Sequence, residues 1–261
     1  MTSFIVVNFN TAKLTRDCVT SILTNTVESQ REIIVIDNAS ADDGVVLLKK
    51  EFGSQIKLIA NSVNGGFAAA NNIGARIASG DFLFFLNSDT IIESNIVSHL
   101  ELLFKNNHKL GVVAPRLRLA NGQPQLFAYG RFPNLVSVVF NKIWSLRFLK
   151  KTGQFMPVDW VSGAALIIRK EIFESIGGWD EKYFLYFEDV DLCWQVKKLE
   201  FEIGVFNEVS VIHFGGRSLA QDVLRKRRYY ASQEYFFQKN YGLMSANILK
   251  LIRWPYRLIK N

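Results

Sequence analysis

Short apolar runs alternate with helically spaced apolar residues through the first half of the chain. Phe4–Asn8 reads as a buried strand, and Leu14, Cys18 and Ile22 then recur on one helix face. Glu32–Asp37 is a second strand with a helix over Asp42–Phe52. Ile56–Ala60 is a third, followed by a helix of small residues over Gly66–Ala78, and Phe82–Leu86 is a fourth, followed by a helix near Ser94–Asn106. This alternation predicts an α/β fold, with a mostly parallel central sheet flanked by crossover helices. Ligands in open sheets of that class bind beyond the carboxyl ends of the strands. Polar residues stand at those ends: Asn8 and Asn10, Asp37 and Asn38, Asn61 and Asn64, Asn87 and Asp89.

The second half is less regular. Val112–Leu119 and Gln123–Tyr129 predict a hairpin around Asn121-Gly122. A Phe/Trp-rich stretch covers Phe132–Phe155. A strand is expected over Trp160–Ile168, a helix over Glu188–Leu199 and strand material over Ile203–His213. Neither an internal repeat nor a low-complexity linker interrupts the chain, so one compact unit is expected.

Composition narrows the class. With 261 residues and 49% hydrophobic side chains, a sizeable core can be buried, which argues against bulk disorder. Cys18 and Cys193 sit in helix-like stretches and read as small core residues in a reducing compartment. The chain opens directly on Phe4-Ile5-Val6-Val7, without the basic region of a secretory signal. The longest apolar candidate, Leu135–Leu149, is broken by Lys142 and Arg147, short of the ~20 apolar residues of a spanning helix. The net charge of +7 is lopsided. From His213 to Asn261 ten Lys/Arg stand against Asp222 and Glu234, while the remaining 212 residues hold 21 basic and 22 acidic side chains. Such a tail predicts an anionic partner.

Three segments carry candidate chemistry. Asn87-Ser88-Asp89 follows an apolar strand directly. A carboxylate at a strand end suits a hard cation that also takes phosphate oxygens, or else the triplet is a polar loop capping the next helix. Glu188-Asp189-Val190-Asp191 places three carboxylates after the aromatic run Tyr183–Phe187. A carboxylate against aromatic walls loses solvation and gains basicity, as a general base requires; the alternative is an acidic first helical turn. His213 closes an apolar run and precedes Phe214-Gly215-Gly216-Arg217-Ser218. Its imidazole is either a metal ligand or a structural histidine, and Arg217 offers a planar donor to phosphate. The segment Asn64–Asn72 holds Gly65-Gly66 but neither G-x-G-x-x-G nor G-K-[ST], so it is no nucleotide fingerprint of the usual kinds.

Taken in order, these pieces resemble the family 2 glycosyltransferases of the GT-A fold, with the closest likeness to the bacterial rhamnosyltransferase-like branch that builds cell-surface polysaccharides. The matching segments are Val6–Asn10, Ile34–Ser40, Asn64–Asn72, Leu86–Asp89, Trp160–Ala164, Gly177–Asp180, Phe187–Leu192 and His213–Ser218. The resemblance implies a GT-A catalytic domain over 1–218. It implies an inverting hexosyltransferase that uses Mn²⁺ or Mg²⁺ to move a sugar, L-rhamnose from dTDP-rhamnose being preferred. The acceptor would be a saccharide hydroxyl, carried on a polyprenyl diphosphate. A UDP-hexose donor, or a non-catalytic nucleotide- or carbohydrate-binding module, are the competing readings. A nucleotidyltransferase would need a Gly/Arg-rich loop after the first strand, where Asn8–Lys13 has none.

By the same resemblance, Asp37 accepts a hydrogen bond from the base N3–H, with Asn8, Asn10, Asn64, Asn87 and Ser88 lining the nucleotide-sugar pocket. Asp89 and His213 hold the metal, and Arg217 steadies the diphosphate. Asp189 is the base, with Glu188 beside it, and Trp160, Gly163 and Trp179 contact sugar rings. The family often has Asp where this chain has Asn87, a weaker ligand that shifts the metal onto Asp89, His213 and the diphosphate. The basic remainder, 219–261, is expected to be a helical extension packed on the domain or on a membrane surface. Lys250, Arg253, Arg257 and Lys260 recur on one helical face beside Trp254 and Tyr256, a pattern suited to an anionic bilayer, although Pro255 opposes one straight helix. The expected location is cytoplasmic, peripheral on the inner face of the plasma membrane, with no nucleic-acid partner.

Overall fold

The computed structural model describes residues 1–27, 31–138, 154–215 and 222–258. The chain runs β1 (Thr2–Asn8), α1 (Ala12–Asn25), β2 (Arg31–Asp37), α2 (Gly44–Phe52), β3 (Lys57–Ala60), α3 (Gly66–Ile77), β4 (Phe82–Asn87) and β5 (Thr90–Ile92). It continues through α4 (Ile96–Asn106), β6 (Leu110–Arg118), β7 (Tyr129–Gly130), β8 (Phe155–Pro157), β9 (Trp160–Val161), β10 (Ala165–Arg169) and α5 (Lys170–Ser175). Then come α6 (Glu188–Lys198), β11 (Glu202–His213), α7 (Asp222–Tyr241) and α8 (Leu243–Leu258).

The main sheet has the order β3-β2-β1-β4-β10-β6-β11-β5, with β8 on β11. β1 to β4, β6 and β11 share one direction, and β5, β8 and β10 run against them. The continuous apolar runs arise because both faces are covered. Along β1, Phe4 and Val6 join a core layer with Cys18, Ile22, Leu48 and Phe104, while Ile5 faces the other layer with Ala68, Ala75, Phe173 and Val196. The small residues of α3 let that helix lie close to the sheet. A Cβ on Gly74 would stand 2.6 Å from Ile5 Cγ2. Both cysteines are buried and free, and burial pushes the Cys18 thiol up to about 12.

Register converts the sheet into a platform for polar groups. Asn8 pairs with Asp37, Val7 with Asn87, and His213 with Thr90, so residues far apart in sequence meet at one edge. Two expected strands differ from observation. Trp160–Ile168 is broken by Ser162-Gly163-Ala164 into β9, which pairs with β7, and β10, which enters the main sheet. The expected hairpin turns at Gly122 (φ +80°) but pairs only through Leu119, Leu117 and Arg118, and its second arm then leaves the sheet. β10 covers that flank of β6 only at Val112 and Val113, and Pro124 donates no ladder hydrogen bond.

α7 and α8 pack on the domain through Phe236, Phe237, Ala246 and Leu249 against Tyr183, Phe187 and Val190. Lys239 ties α7 down, reaching Asp180 Oδ2 and Asp191 Oδ2, each at 2.7 Å. The expected basic face of the tail is corrected at Arg253. That side chain is buried, bonds Glu234 and the Tyr230 carbonyl, and lies over the Tyr230 ring. Lys250 also approaches Glu234, at 3.9 Å. The outward face of α8 instead carries Met244, Ile248 and Leu251. The side chains of Trp254, Tyr256 and Arg257, and all of Lys260, lie outside the described residues. Among the described residues no helix is long and apolar enough to cross a membrane.

Candidate active site

At the carboxyl ends of β1, β2 and β3 lies a web of short polar side chains. Buried Asn8 donates to Asp37 Oδ2 at 2.6 Å and to Ser40 at 3.1 Å, and its own carbonyl oxygen accepts from Thr11 and Thr15. Asp37 also accepts from the Ser40 N–H. Exposed Asn10 sits at φ 54° and caps the Ala41 N–H. Asn64 accepts from Asn38 Nδ2 and from the Gly66 N–H, which opens α3. Asp37 is only 2% exposed, and each of its carboxylate oxygens already accepts a hydrogen bond within this web.

A second group forms where β4 ends. Ser88 bonds Thr11 across to α1. Asp89 Oδ1 stands 3.2 Å from His213 Nε2, and Asn87 Nδ2 lies 3.4 Å from the same nitrogen. His213 Nδ1 meets Gln125 Oε1 at 2.7 Å. A carboxylate oxygen and an imine nitrogen both present lone pairs, so their close approach calls for a proton or a cation between them. The 3.2 Å separation is close to the edge of an octahedron with metal–ligand bonds near 2.1 Å, which is about 3 Å. The pair therefore fits a divalent ion that completes its shell with phosphate and water. Among the described residues no group of three or more His, Cys, Asp and Glu is arranged for a metal, so protein ligation would rest on these two.

The third group opens α6. Tyr186 (φ 70°) and Phe187 (φ 68°) are consecutive left-handed residues with side chains, a strained arrangement costing of order 1–3 kcal/mol each. It swings Glu188 and Asp189 toward the sheet. Asp189 accepts from the Gly163 N–H at 3.0 Å and from the Val190 N–H at 2.8 Å. The break between β9 and β10 thus supplies the donor that holds this carboxylate. Glu188 is buried, and its Oε2 has no hydrogen-bond partner. Burial pushes both carboxyls above the ordinary range, Glu188 further because the charge of Asp189 adds to it. Asp191 is buried on the far side of the helix and spent on Lys239 and Asn240.

The Asp89–His213 pair and the acid pair face one cavity of about 1200 Å³. Asp89, His213, Glu188 and Asp189 all line it, as do Trp160 and Gly163. Asn8, Asn10, Asp37 and Asn64 lie outside this lining. Trp160 remains half-exposed to the cavity, its indole N–H fixed on the Arg131 carbonyl. Trp179 is corrected: at 1% exposure it packs edge-on against Phe67 and Phe85 beneath Gly163 and cannot stack on a sugar. Arg217 lies outside the described residues. Sequence reasoning missed Gln125, which had only the look of a polar hairpin residue. It also missed Arg225, Tyr229 and Gln233 of α7, which line the cavity; Arg225 had been counted merely as tail charge.

Known proteins share this architecture. The chain is 24% identical over 216 residues to the low-salt glycan biosynthesis hexosyltransferase Agl10 of Haloferax volcanii, covering 81% of this chain and 66% of that protein. It is 24% identical over 209 residues to the poly-beta-1,6-N-acetyl-D-glucosamine synthase of Staphylococcus epidermidis, covering 77% of this chain and 47% of the synthase. The chain thus spans between about half and two thirds of these relatives. The crystal structure of GalNAc-T7 with UDP, GalNAc and Mn²⁺ superposes with a TM-score of 0.70 at 16% identity, over 98% of this chain and 54% of that one, which establishes the GT-A fold. The model of the family described as glycosyl transferase family 2 matches residues 3–177, more than half the chain, and the protein belongs to that family.

Proposed function

We propose that the chain is an inverting, divalent-metal-dependent glycosyltransferase. It moves a sugar from a nucleoside-diphosphate donor to a saccharide hydroxyl in glycan synthesis. The observation that carries this reading is the single cavity shared by the Asp89–His213 pair and the Glu188–Asp189 pair. Asp189 is the base. Two backbone N–H groups favour its ionised form, Asp191 is consumed by α7, and burial beside Asp189, with Oε2 left without a partner, disfavours the ionised form of Glu188. The acceptor O–H proton passes to Asp189 as the oxygen attacks the anomeric carbon. The bond from that carbon to the diphosphate oxygen breaks in line, and its electron pair leaves with the nucleoside diphosphate. Asp89 and His213 would hold the cation, and an imidazole ligand favours Mn²⁺ over Mg²⁺. When bound, that cation supplies charge neutralisation to the departing diphosphate. On the family resemblance, Arg217 would steady the same diphosphate.

On the family resemblance Asp37 would accept the N3–H of uracil or thymine, so a dTDP-sugar is the first donor carried, with L-rhamnose preferred, and a UDP-hexose next. Sugar release and transfer from dTDP-rhamnose, UDP-hexoses and GDP-mannose, with Mn²⁺ and with chelator, test the reading. Turnover restricted to a uracil or thymine donor and abolished by chelator is expected. Binding without turnover of any donor would sink it.

For the acceptor we carry a polyprenyl-diphosphate-linked saccharide, met at the inner face of the plasma membrane. Support comes from the extension beyond residue 219, where α8 turns Met244, Ile248 and Leu251 outward with Lys250 beside them. Co-sedimentation with phosphatidylglycerol vesicles, lost in Met244→Ser/Leu251→Ser, is expected. Equal sedimentation of that variant rejects this face.

A further inference from the structure

Gln125 makes the shortest polar contact of His213, yet no chemistry at this site so far requires it. Its amide oxygen lies 2.7 Å from Nδ1. An amide oxygen only accepts, so Nδ1 must carry the proton. On the other side of the ring, the Asn87 amide nitrogen only donates, and it faces Nε2. The two amides agree: they select the imidazole tautomer with hydrogen on Nδ1 and a bare lone pair on Nε2, turned toward Asp89 Oδ1.

The position of Gln125 is itself built. Its backbone N–H bonds the Leu117 carbonyl at 2.9 Å, next to the Arg118–Pro124 bridge in the short pairing at the end of β6. Two residues on, Phe127 adopts φ 60°, where the chain departs from the sheet. The truncated hairpin therefore places an amide behind the histidine ring, and the strain of Phe127 falls immediately after the contact is made.

We propose that Gln125 is a positioning residue that fixes the tautomer and ring orientation of His213, so that Nε2 is presented to a divalent cation shared with Asp89. This deepens the metal-dependent reading above and rests on it for the identity of the ligand. Partners that hold the second nitrogen of a metal-binding histidine are typically worth 10–100-fold in metal affinity.

The test reads the ring before it reads the metal. The chain has only three histidines, so the His213 nitrogens can be assigned by ¹⁵N NMR in the metal-free protein at mildly alkaline pH. The wild type is expected to show Nδ1 protonated and Nε2 bare. Gln125→Leu is expected to lose that preference and to bind Mn²⁺ 10–100-fold more weakly by EPR titration in the presence of UDP. Gln125→Glu keeps an acceptor at the same place and is expected to restore both. An unchanged tautomer and Mn²⁺ affinity in Gln125→Leu overturns the proposal. So does a Gln125→Glu protein that folds normally but behaves like the Leu variant. A wild type with no affinity for Mn²⁺ would overturn the metal reading itself, while the tautomer measurement still decides whether Gln125 governs His213.

Discussion

Asp189→Asn is expected to keep nucleotide binding while lowering transfer by roughly 10²–10⁴-fold, the usual worth of a general base. The substitution preserves shape, and the new carboxamide oxygen can still accept from the Gly163 N–H or the Val190 N–H. It removes the ability to take a proton from the acceptor hydroxyl. Nucleotide binding is expected to survive because the Asn8–Asp37–Asn64 web and the Asp89–His213 pair, the groups proposed to meet the nucleotide, lie elsewhere. The pH profile supplies an independent reading. With Asp189 as the proposed base, transfer would need it ionised, so kcat of the wild type is expected to rise with pH as that carboxyl loses its proton. Burial raises its pKa, so the limb lies above the ordinary carboxylate range. In the Asn variant residual turnover should lack that limb. Steady-state kinetics across pH, paired with calorimetric titration of the nucleotide, separates the two effects. Near-normal kcat removes Asp189 from the role.

What the sequence disclosed, and what it withheld, follows from which interactions are local. The strand–helix alternation of the first half is written in contiguous residues, so β1 to β4 and α2 to α4 were legible to within a residue or two, and α1 from the spacing of Leu14, Cys18 and Ile22. The strand-end polar residues were legible for the same reason, since strand position alone dictates that they share an edge. The antiparallel entry of β10 depends on a break at Ser162–Ala164, where the Gly163 N–H is left to bond Asp189, 26 residues away, and no local pattern announces that partner. Trp179 follows a glycine pair and looked exposed, but Phe67, Phe85 and Phe173 close around it. Arg253 kept helical spacing with other cations, yet Glu234 and Tyr230 of the preceding helix draw it inward. Composition registers charge and cannot register direction. The three adjacent acids show the same limit: the sequence placed them on one turn, and only partners contributed by α7 separate Asp191 from the two that face the cavity.

Removal of Asp89 tests the other half of the mechanism. Asp89→Ala is expected to abolish the stimulation of nucleotide binding by Mn²⁺ and to lower transfer by at least about 10²-fold, consistent with the several kcal/mol that a cation contributes to a developing phosphate charge. His213→Ala is expected to be milder in both. The reason lies in the donor set. Among the described residues Asp89 is the carboxylate paired with His213, and the neighbouring position is Asn87, whose amide nitrogen faces the histidine ring. Without Asp89 a hard cation would keep one neutral protein ligand, and its hold would depend almost wholly on the diphosphate. His213→Ala leaves the charged ligand in place, so raised Mn²⁺ should recover part of its activity, whereas Asp89→Ala should recover little. Transfer rates along a Mn²⁺ titration, with chelated wild type as the baseline, give the ranking directly. If Asp89→Ala matched the wild type at limiting Mn²⁺, the carboxylate would not be a ligand, and the facing lone pairs of Asp89 and His213 would mark an imidazolium–carboxylate contact instead.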